Sequence, residues 1–410
     1  MTGRICSEAR KRVAVALSGT KKSAVAARVL QERGYDVFGV HMLAWNEPDA
    51  RGSYPGEKQW RAVQAISKHL GMECFQIDCV KHYWNNVFTP AIEGFSAGTN
   101  QNPDLMVNRE IFFGSMLERC VKQYGADYLA IGTCAVVRID PAGDGQQVQL
   151  LCPADSRMPD NAYWLSQIPQ LAMQRALLPL GNMSLDDIEK VFVESGLSNV
   201  TIGHKTRGFA NIGAHNFRAL MSEYIGDRPG PVALLDGKVV GAHYGVHYFT
   251  EGQAIRFAWR SKWPRPKVSS RYFVSRRDAS TRTLFVADGY ENPAFYSEDL
   301  IVRNLHWISG EPPAGLSKDR PITLSIKNRH SNDPITARVL ECPKSVAGNQ
   351  RLLMTVSTAI RGVNPGQICS IYDGDVCLGG GPIHSCLTQS PKQPPLVPDA
   401  LPRPVSLFDE

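Results

Sequence analysis

Residues 13–30 constrain the fold more than any other stretch. VAVAL at 13–17 is an apolar run of strand length, SGTKKS at 18–23 is a loop of small and polar residues, and AVAARVL at 24–30 reads as a helix. A strand feeding a small-residue loop that opens a helix is a general anion cradle. Backbone N–H groups at the helix N-terminus point at the ligand, and the helix dipole favours negative charge there. The spacing is not that of a Walker A loop, and no G-x-G-x-x-G follows the strand.

The same rhythm continues over the first two hundred residues. YDVFGVHM at 35–42 predicts a second strand, CFQID at 74–78 a third and YLAIG at 128–132 a fourth. Between them, 58–70 predicts a helix with Trp60, Val63, Ile66 and Leu70 at helical spacing, and 109–124 a helix with Ile111, Phe112, Met116 and Cys120 along one stripe. The alternation predicts an α/β fold, a doubly wound parallel sheet with its ligand at the carboxyl ends of the strands. Ser184, followed by Asp186 and Asp187, starts a further helix, and Gly196 stops it.

Past this point the pattern changes. Residues 201–211 read as a long loop, 217–224 as a short helix, and VALLDGKVVG at 232–241 as a hairpin turning at Asp-Gly. From 271 onward, short strands separated by turn residues predict a small β-barrel. The proline-rich segment predicts a disordered tail. The expected division is a first domain over 1–203, a small central α+β domain over 204–270, a barrel over 271–390 and the tail over 391–410.

With 410 residues the chain is too long for one ordinary core. No apolar run approaches the ~18 residues of a membrane span, so no transmembrane helix is expected. A net charge of +6 permits a polyanionic partner without requiring one. None of the ten cysteines forms a C-x-x-C pair, which argues against a zinc ribbon or redox dithiol and for free thiols in a reducing compartment. Residues 1–11 are short for a transit peptide and lack a secretory apolar core, so a remnant of such a peptide and a frayed end both stay open.

The order of segments resembles the tRNA-specific 2-thiouridylases, their mitochondrial branch most. The stretches that carry the resemblance are VAVALSGTKKSAVAARVLQERGYDVFGVHM, YWNNVF, NPDLMVN, GADYLAIG, AYWLSQIPQ, RALLPLG, GFANIGAHNF, LLDGKVVGAHYGVHYFTEGQ, HWISGEPPAGL and NPGQICSIYDGDVCLGGGPI, the last a signature of the family's C-terminal barrel. The resemblance implies a pyrophosphate-loop domain using ATP and Mg²⁺ to adenylate the C2 carbonyl oxygen of wobble uridine 34 in a mitochondrial tRNA. A cysteine persulfide then delivers sulfur, and a second cysteine releases it by forming a disulfide. It also implies a tRNA partner, a mitochondrial location with the cytoplasm as the alternative, and no membrane. Nucleotide-binding positions would be Ser18, Gly19, Ser23, Met42 and Gly132. RNA-binding positions would be Asn102, Pro103, Asp104, Asp160, Asn161, Arg329 and His330.

Position by position, the family's catalytic set is mostly replaced. The loop motif S-G-G-x-D-S stands as Ser18-Gly19-Thr20-Lys21-Lys22-Ser23, so Lys22 holds the aspartate position. The first cysteine, in N-P-D-x-x-C-N, is Val107, and the second, in G-x-C-F-I-G, is Ala210. The histidine of T-G-H-Y is Thr133, the lysine of K-D-Q is Pro159, the arginine of G-R-T-P-N-P is Thr99, and the lysine of I-K-F is Phe112. Neither valine nor alanine can carry a persulfide. Lysine cannot hold Mg²⁺, which wants carboxylates and water, and without the metal an adenylation site loses charge that steadies the transferring phosphates.

Several residues admit two readings. Asp104 either contacts the target base or caps the helix after Pro103. Ser18, Gly19 and Ser23 either still cradle an anion or only shape the bend. Cys134 is either a replacement nucleophile or a buried thiol. Lys205 and Arg207 either hold RNA phosphate or line a solvated loop, and Arg329 and His330 lie where the family's barrel approaches tRNA. The expectation is a degenerate relative that keeps the fold and RNA binding, serves as a scaffold or assembly partner, and does not thiolate. The alternative is an active ATP-dependent sulfurtransferase with chemistry relocated to Cys134 or Cys120. A remote third is a metabolite-binding protein of the adenylating fold unrelated to RNA. No metal-ligand set is read from the residues.

Overall fold

The structure, a computed structural model, describes residues 10–49, 52–140, 147–155, 157–203, 217–255, 271–331, 333–343 and 350–388. Its first unit contains β1 (Arg12–Ala16), β2 (Asp36–Leu43), β3 (Cys74–Asp78), β4 (Tyr128–Ile131), β5 (Val136–Ile139), β6 (Val148–Leu151) and the short β7 (Ala176–Leu177). Five of these form a sheet in the order β3-β2-β1-β4-β7 with every pairing parallel. Successive strand side chains point to opposite faces. Val13, Val15 and Leu17 therefore pack with Ala24, Val25, Leu30 and Ile66 on one side. Ala14 and Ala16 pack with Phe38, Tyr83, Phe88 and Met116 on the other. A strand covered on both faces must be apolar throughout, which is why VAVAL does not alternate. The winding reverses between β1 and β4, so the crevice at their carboxyl ends is the switch point where such sheets take ligands.

Helices α1 (Lys21–Glu32) and α2 (Pro55–Leu70) cover the first face. On the second, α3 (Val80–Tyr83) passes through a π-helical turn, Trp84–Phe88, into α4 (Thr89–Ser96). Likewise α5 (Pro103–Met106) runs through a π-helical stretch, Val107–Met116, into α6 (Leu117–Tyr124). The helix expected over 109–124 thus starts earlier and is wound more widely, with a break at Gly114 (φ −102°, ψ −108°). Then come α7 (Ala162–Leu165), α8 (Gln170–Met173), α9 (Leu185–Glu194) and α10 (Phe217–Tyr224). Helix α9 starts at the expected cap. The Asp187 N–H donates to Ser184 Oγ (3.0 Å) and the Ser184 N–H to Asp187 Oδ2 (3.2 Å), a reciprocal capping box.

The central unit corrects the expected barrel boundary at 271. Strands β8 (Gly230–Leu234), β9 (Val239–His243), β10 (Ala254–Ile255), β11 (Tyr272–Asp278) and β12 (Thr283–Asp288) form one sheet in the order β10-β11-β12-β8-β9. Val274, Leu284 and Val286 pack on Val232, Val240 and Ile255, so the chain stays with the central unit until residue 288. A hairpin's composition reports that it is a hairpin, not which sheet it joins.

The barrel follows: β13 (Tyr296–Arg303), β14 (His306–Trp307), β15 (Ile322–Lys327), β16 (Ile335–Cys342), β17 (Arg351–Arg361), β18 (Ile368–Asp373) and β19 (Val376–Thr388). Six strands run antiparallel in the order β13-β17-β16-β15-β18-β19, and β13 pairs β19 to close the ring. Glycines let β19 lie under its neighbours. A Cβ on Gly379 would stand 2.1 Å from His306 O, and one on Gly380 2.1 Å from Cys369 O. Strand β19 also pairs with β6 (Cys377 opposite Leu150), which ties the first unit's β5–β6 hairpin to the barrel sheet, a link not foreseen from the sequence. No helix among the described residues is long and apolar enough to cross a membrane.

Candidate functional site

The loop after β1, the first turn of α1 and the loop after β4 meet at the switch point. Gly19 has φ 78°, and a Cβ there would stand 2.8 Å from Ala62 Cβ, so glycine is what lets the loop pass α2. A Cβ on Gly132 would stand 2.6 Å from Lys22 O, so the first turn of α1 rests directly on the end of β4. The loop is bonded to itself. The Ser18 N–H donates to Ser23 Oγ (3.3 Å), the Ser18 and Thr20 hydroxyls share a bond (2.9 Å), and Ser23 Oγ donates to Thr20 O (2.9 Å). The Ile202 N–H donates to Gly19 O (2.9 Å).

Both loop lysines are engaged by the protein. The Lys21 ammonium pairs with Glu189 of α9 and lies 5.0 Å from the centre of the Phe192 ring. Lys22 Nζ donates to Cys134 Sγ (3.1 Å), a thiol fully removed from solvent. Beside it, Asn161 Nδ2 donates to Thr133 Oγ1 (2.8 Å), and the Asn161 N–H to Cys134 O (3.2 Å). Lys22, Thr133, Cys134 and Asn161 are far apart in sequence and meet at the switch point. Met42 is half-buried against the core cluster beneath the sheet. The sequence reading passed over His41. Its Nδ1 is 2.9 Å from Leu17 O, its ring stacks on Trp60 at 5.8 Å, and burial lowers its pKa below the ordinary histidine value. The donors gathered here are hydroxyls, amides and ammonium groups. The first turn of α1 holds no acid, so the loop does not fit Mg²⁺.

A second group of residues sits around α5, α7 and the end of β15. Asn102 occupies the position before α5 without a side-chain cap bond, and Asp104 lies inside the first turn, so Asp104 is not the cap. Burial pushes the Asp104 carboxyl up to about 6. Val107 follows, 4% exposed and packed in the core with Ile111 and Phe113. Asn108 Nδ2 donates to Trp164 O (3.0 Å), and the Trp164 ring lies 4.9 Å from that of exposed His330. Tyr163 is buried, its Oη donating to Ile368 O (3.1 Å), and Arg329 Nη2 donates to Gly362 O (2.7 Å). Asn102, Asn108, Trp164, Arg329 and His330 are thus brought to one region.

Asp160, expected at an RNA-binding position, is engaged by the protein itself. Its side chain is 10% exposed, and Oδ2 accepts from Lys327 Nζ (2.7 Å) and Tyr372 Oη (3.2 Å) while Oδ1 accepts from the Ala162 N–H (2.9 Å). The carboxylate closes the seam between first unit and barrel, and Lys327 and Tyr372 carried no signal that marked them as its partners. Cys120 is buried in α6 with its thiol pushed up to about 12, chiefly by burial. No group of three or more His, Cys, Asp or Glu able to hold a metal occurs among the described residues. Lys205, Arg207, Ala210 and the tail over 391–410 lie outside the described residues.

Three family profiles match the chain in succession: the one described as "tRNA methyl transferase HUP domain" over 11–206, the "tRNA methyl transferase PRC-barrel domain" over 218–288, and the "Aminomethyltransferase beta-barrel domain" over 297–383. The chain is similar to the tRNA-specific 2-thiouridylase MnmA of Bacillus pumilus, 32% identical over 381 residues that cover 93% of this chain and 97% of that one. It is similar in the same degree to the tRNA-specific 2-thiouridylase MnmA of Alkaliphilus oremlandii, 32% identical over 376 residues covering 92% and 98%. Among solved structures, the U34-tRNA thiolase NcsA from Methanococcus maripaludis aligns with 54% of this chain and 67% of its own at 17% identity and a TM-score of 0.29.

Proposed function

The chain belongs to the tRNA-specific 2-thiouridylase family, and from that membership we propose that it is a tRNA-binding relative that has lost sulfur transfer. The observation that carries the reading is Val107, a valine in the hydrophobic core at the position of the family's first cysteine. Sulfur relay needs a thiolate at that place and a resolving thiol at the second, where Ala210 stands. The crevice supports the same reading. Lys22 replaces the loop acid and is held on Cys134, and Lys21 is neutralised by Glu189, so neither lysine is a free phosphate ligand. In this proposal the RNA face is the region of Asn102, Asp104, Asn108, Arg329 and His330. Asp104 touches the displaced base, and Arg329 and His330 lie along the backbone. The retained role is to hold RNA as a scaffold or as a subunit of an RNA-processing assembly, in the mitochondrion.

The alternative, an active sulfurtransferase using Cys134 or Cys120, has burial against it, since a persulfide donor cannot reach thiols removed from solvent. Equilibrium binding to tRNA over a salt series tests the proposal. Affinity falling steeply with salt supports it, because each phosphate contact releases counterions. Salt-independent binding, or none, overturns the RNA role.

A further inference from the structure

We propose that Glu251, Arg277 and Asn364 form a pH-sensitive clasp that sets how tightly the central unit holds the barrel. Glu251 lies just before β10, Arg277 on β11 and Asn364 between β17 and β18. The Glu251 N–H donates to Asn364 Oδ1 (2.8 Å), while Asn364 Nδ2 donates to Gly362 O (2.9 Å) and, more weakly, to Glu251 O (3.4 Å). One amide side chain thus bonds the backbone of both units. Arg277 braces the same point, with Nη1 on Phe249 O (2.9 Å) and Nη2 on Asn364 Oδ1 (3.3 Å). From the barrel side, Arg361 Nη1 donates to Gly252 O (3.2 Å) and Arg329 Nη2 to Gly362 O (2.7 Å). The two backbones touch: a Cβ on Gly252 would stand 3.2 Å from Gly362 Cα.

Glu251 is 9% exposed in this seam, with its carboxyl on the Arg277 main-chain N–H, so closing the seam takes a titratable acid out of water. Among the described residues, the charged and titratable groups facing Glu251 are Arg277 and Arg276 from β11 and Cys386 from β19, with Arg361 and Arg329 flanking on the barrel side. Burial pushes the Glu251 carboxyl up to about 7, and Arg277 only partly opposes this. The cause is mutual, since burial also lowers Arg277 while Glu251 raises it. An opened seam returns Glu251 to water and to its ordinary value of 4.5. The closed state therefore binds more protons near neutrality, and rising pH favours opening. With these two values the opening constant rises about tenfold between about pH 6 and about pH 8 and levels off above that.

Hydrogen exchange of the full chain, read at the amides of Glu251 to Gln253 and Gly362 to Asn364, tests this. The wild-type rate is divided by that of Glu251→Gln at each pH, which removes the intrinsic pH dependence of exchange. The ratio is expected to rise about tenfold across that range, because glutamine mimics the neutral acid at every pH. A flat ratio overturns the proposal. Should Glu251→Gln fail to fold, the wild-type amides of the clasp are referred to those of β1. Clasp amides that lose protection with pH while β1 keeps its own support the proposal, and parallel behaviour of the two overturns it.

Discussion

Lys327→Met separates a structural role of Asp160 from an RNA-binding one. The Lys327–Asp160 pair is almost dry, with side chains 7% and 10% exposed and Nζ 2.7 Å from Oδ2. Removing one partner of a buried pair costs about 3–5 kcal/mol, because the other charge is left without compensation. Lys327→Met should fall at the lower end, about 3 kcal/mol, since Asp160 keeps the Tyr372 hydroxyl and the Ala162 N–H. Asp160→Asn should cost more, about 4 kcal/mol, because the buried ammonium loses the one carboxylate that pairs with it among the described residues and is left with a neutral amide oxygen and the Tyr372 ring, 5.7 Å away. The double variant should recover part of the loss, giving a coupling of about 2 kcal/mol in a double-mutant cycle. Urea unfolding followed by circular dichroism measures this, taking the transition that reports the first unit and barrel together, because a chain of several units need not unfold in one step. Below the unfolding range, tRNA affinity should be unchanged in all three variants. Lys327→Met within about 0.5 kcal/mol of the parent, or Asp160→Asn weakening tRNA binding without destabilising the fold, would rule out a structural role for the pair.

Three further outcomes follow from the geometry. Gly380→Ala should abolish soluble barrel or destabilise it by more than about 3 kcal/mol, because its Cβ would stand 2.1 Å from Cys369 O; a folded variant with an unchanged melting temperature contradicts the packing of β19. Asp104 gains its negative charge as pH rises through about 6, so tRNA affinity should fall across that range and the step should vanish in Asp104→Asn; an identical step in the variant removes Asp104 from the RNA face. Ser184→Ala should cost about 1 kcal/mol through the loss of the reciprocal cap on α9, measured by thermal melting.

Local pattern and long-range pairing were unequally legible. The parallel sheet could be read because VAVAL, doubly covered, has to be apolar throughout, and the caps of α9 could be read because a capping box lies within four residues. The extra turn in the helix after Pro103 could not, since π-helical winding has no fixed sequence period. The barrel's start was placed too early because Tyr272–Asp278 and Thr283–Asp288 look the same whichever sheet receives them. At the candidate site, residue types at motif positions were readable, but their partners were not. The lysines at 21 and 22 suggest a basic patch until Glu189, 168 residues away, and Cys134, 112 residues away, are seen to take them. Asp160 suggests an RNA contact until Lys327, 167 residues away, closes on it. Partner identity over such separations is set by tertiary packing, and no local window contains it.

The proposed function has this chain hold tRNA without transferring sulfur to it. Purified full-length protein, incubated with tRNA, ATP, Mg²⁺ and a persulfide donor, followed by digestion and mass spectrometry of the nucleosides, tests it most directly, with a cysteine-containing family member as the positive control. The expected result is no 2-thiouridine above the enzyme-free background and no ATP-dependent release of pyrophosphate. 2-Thiouridine accumulating beyond one equivalent per protein would contradict it.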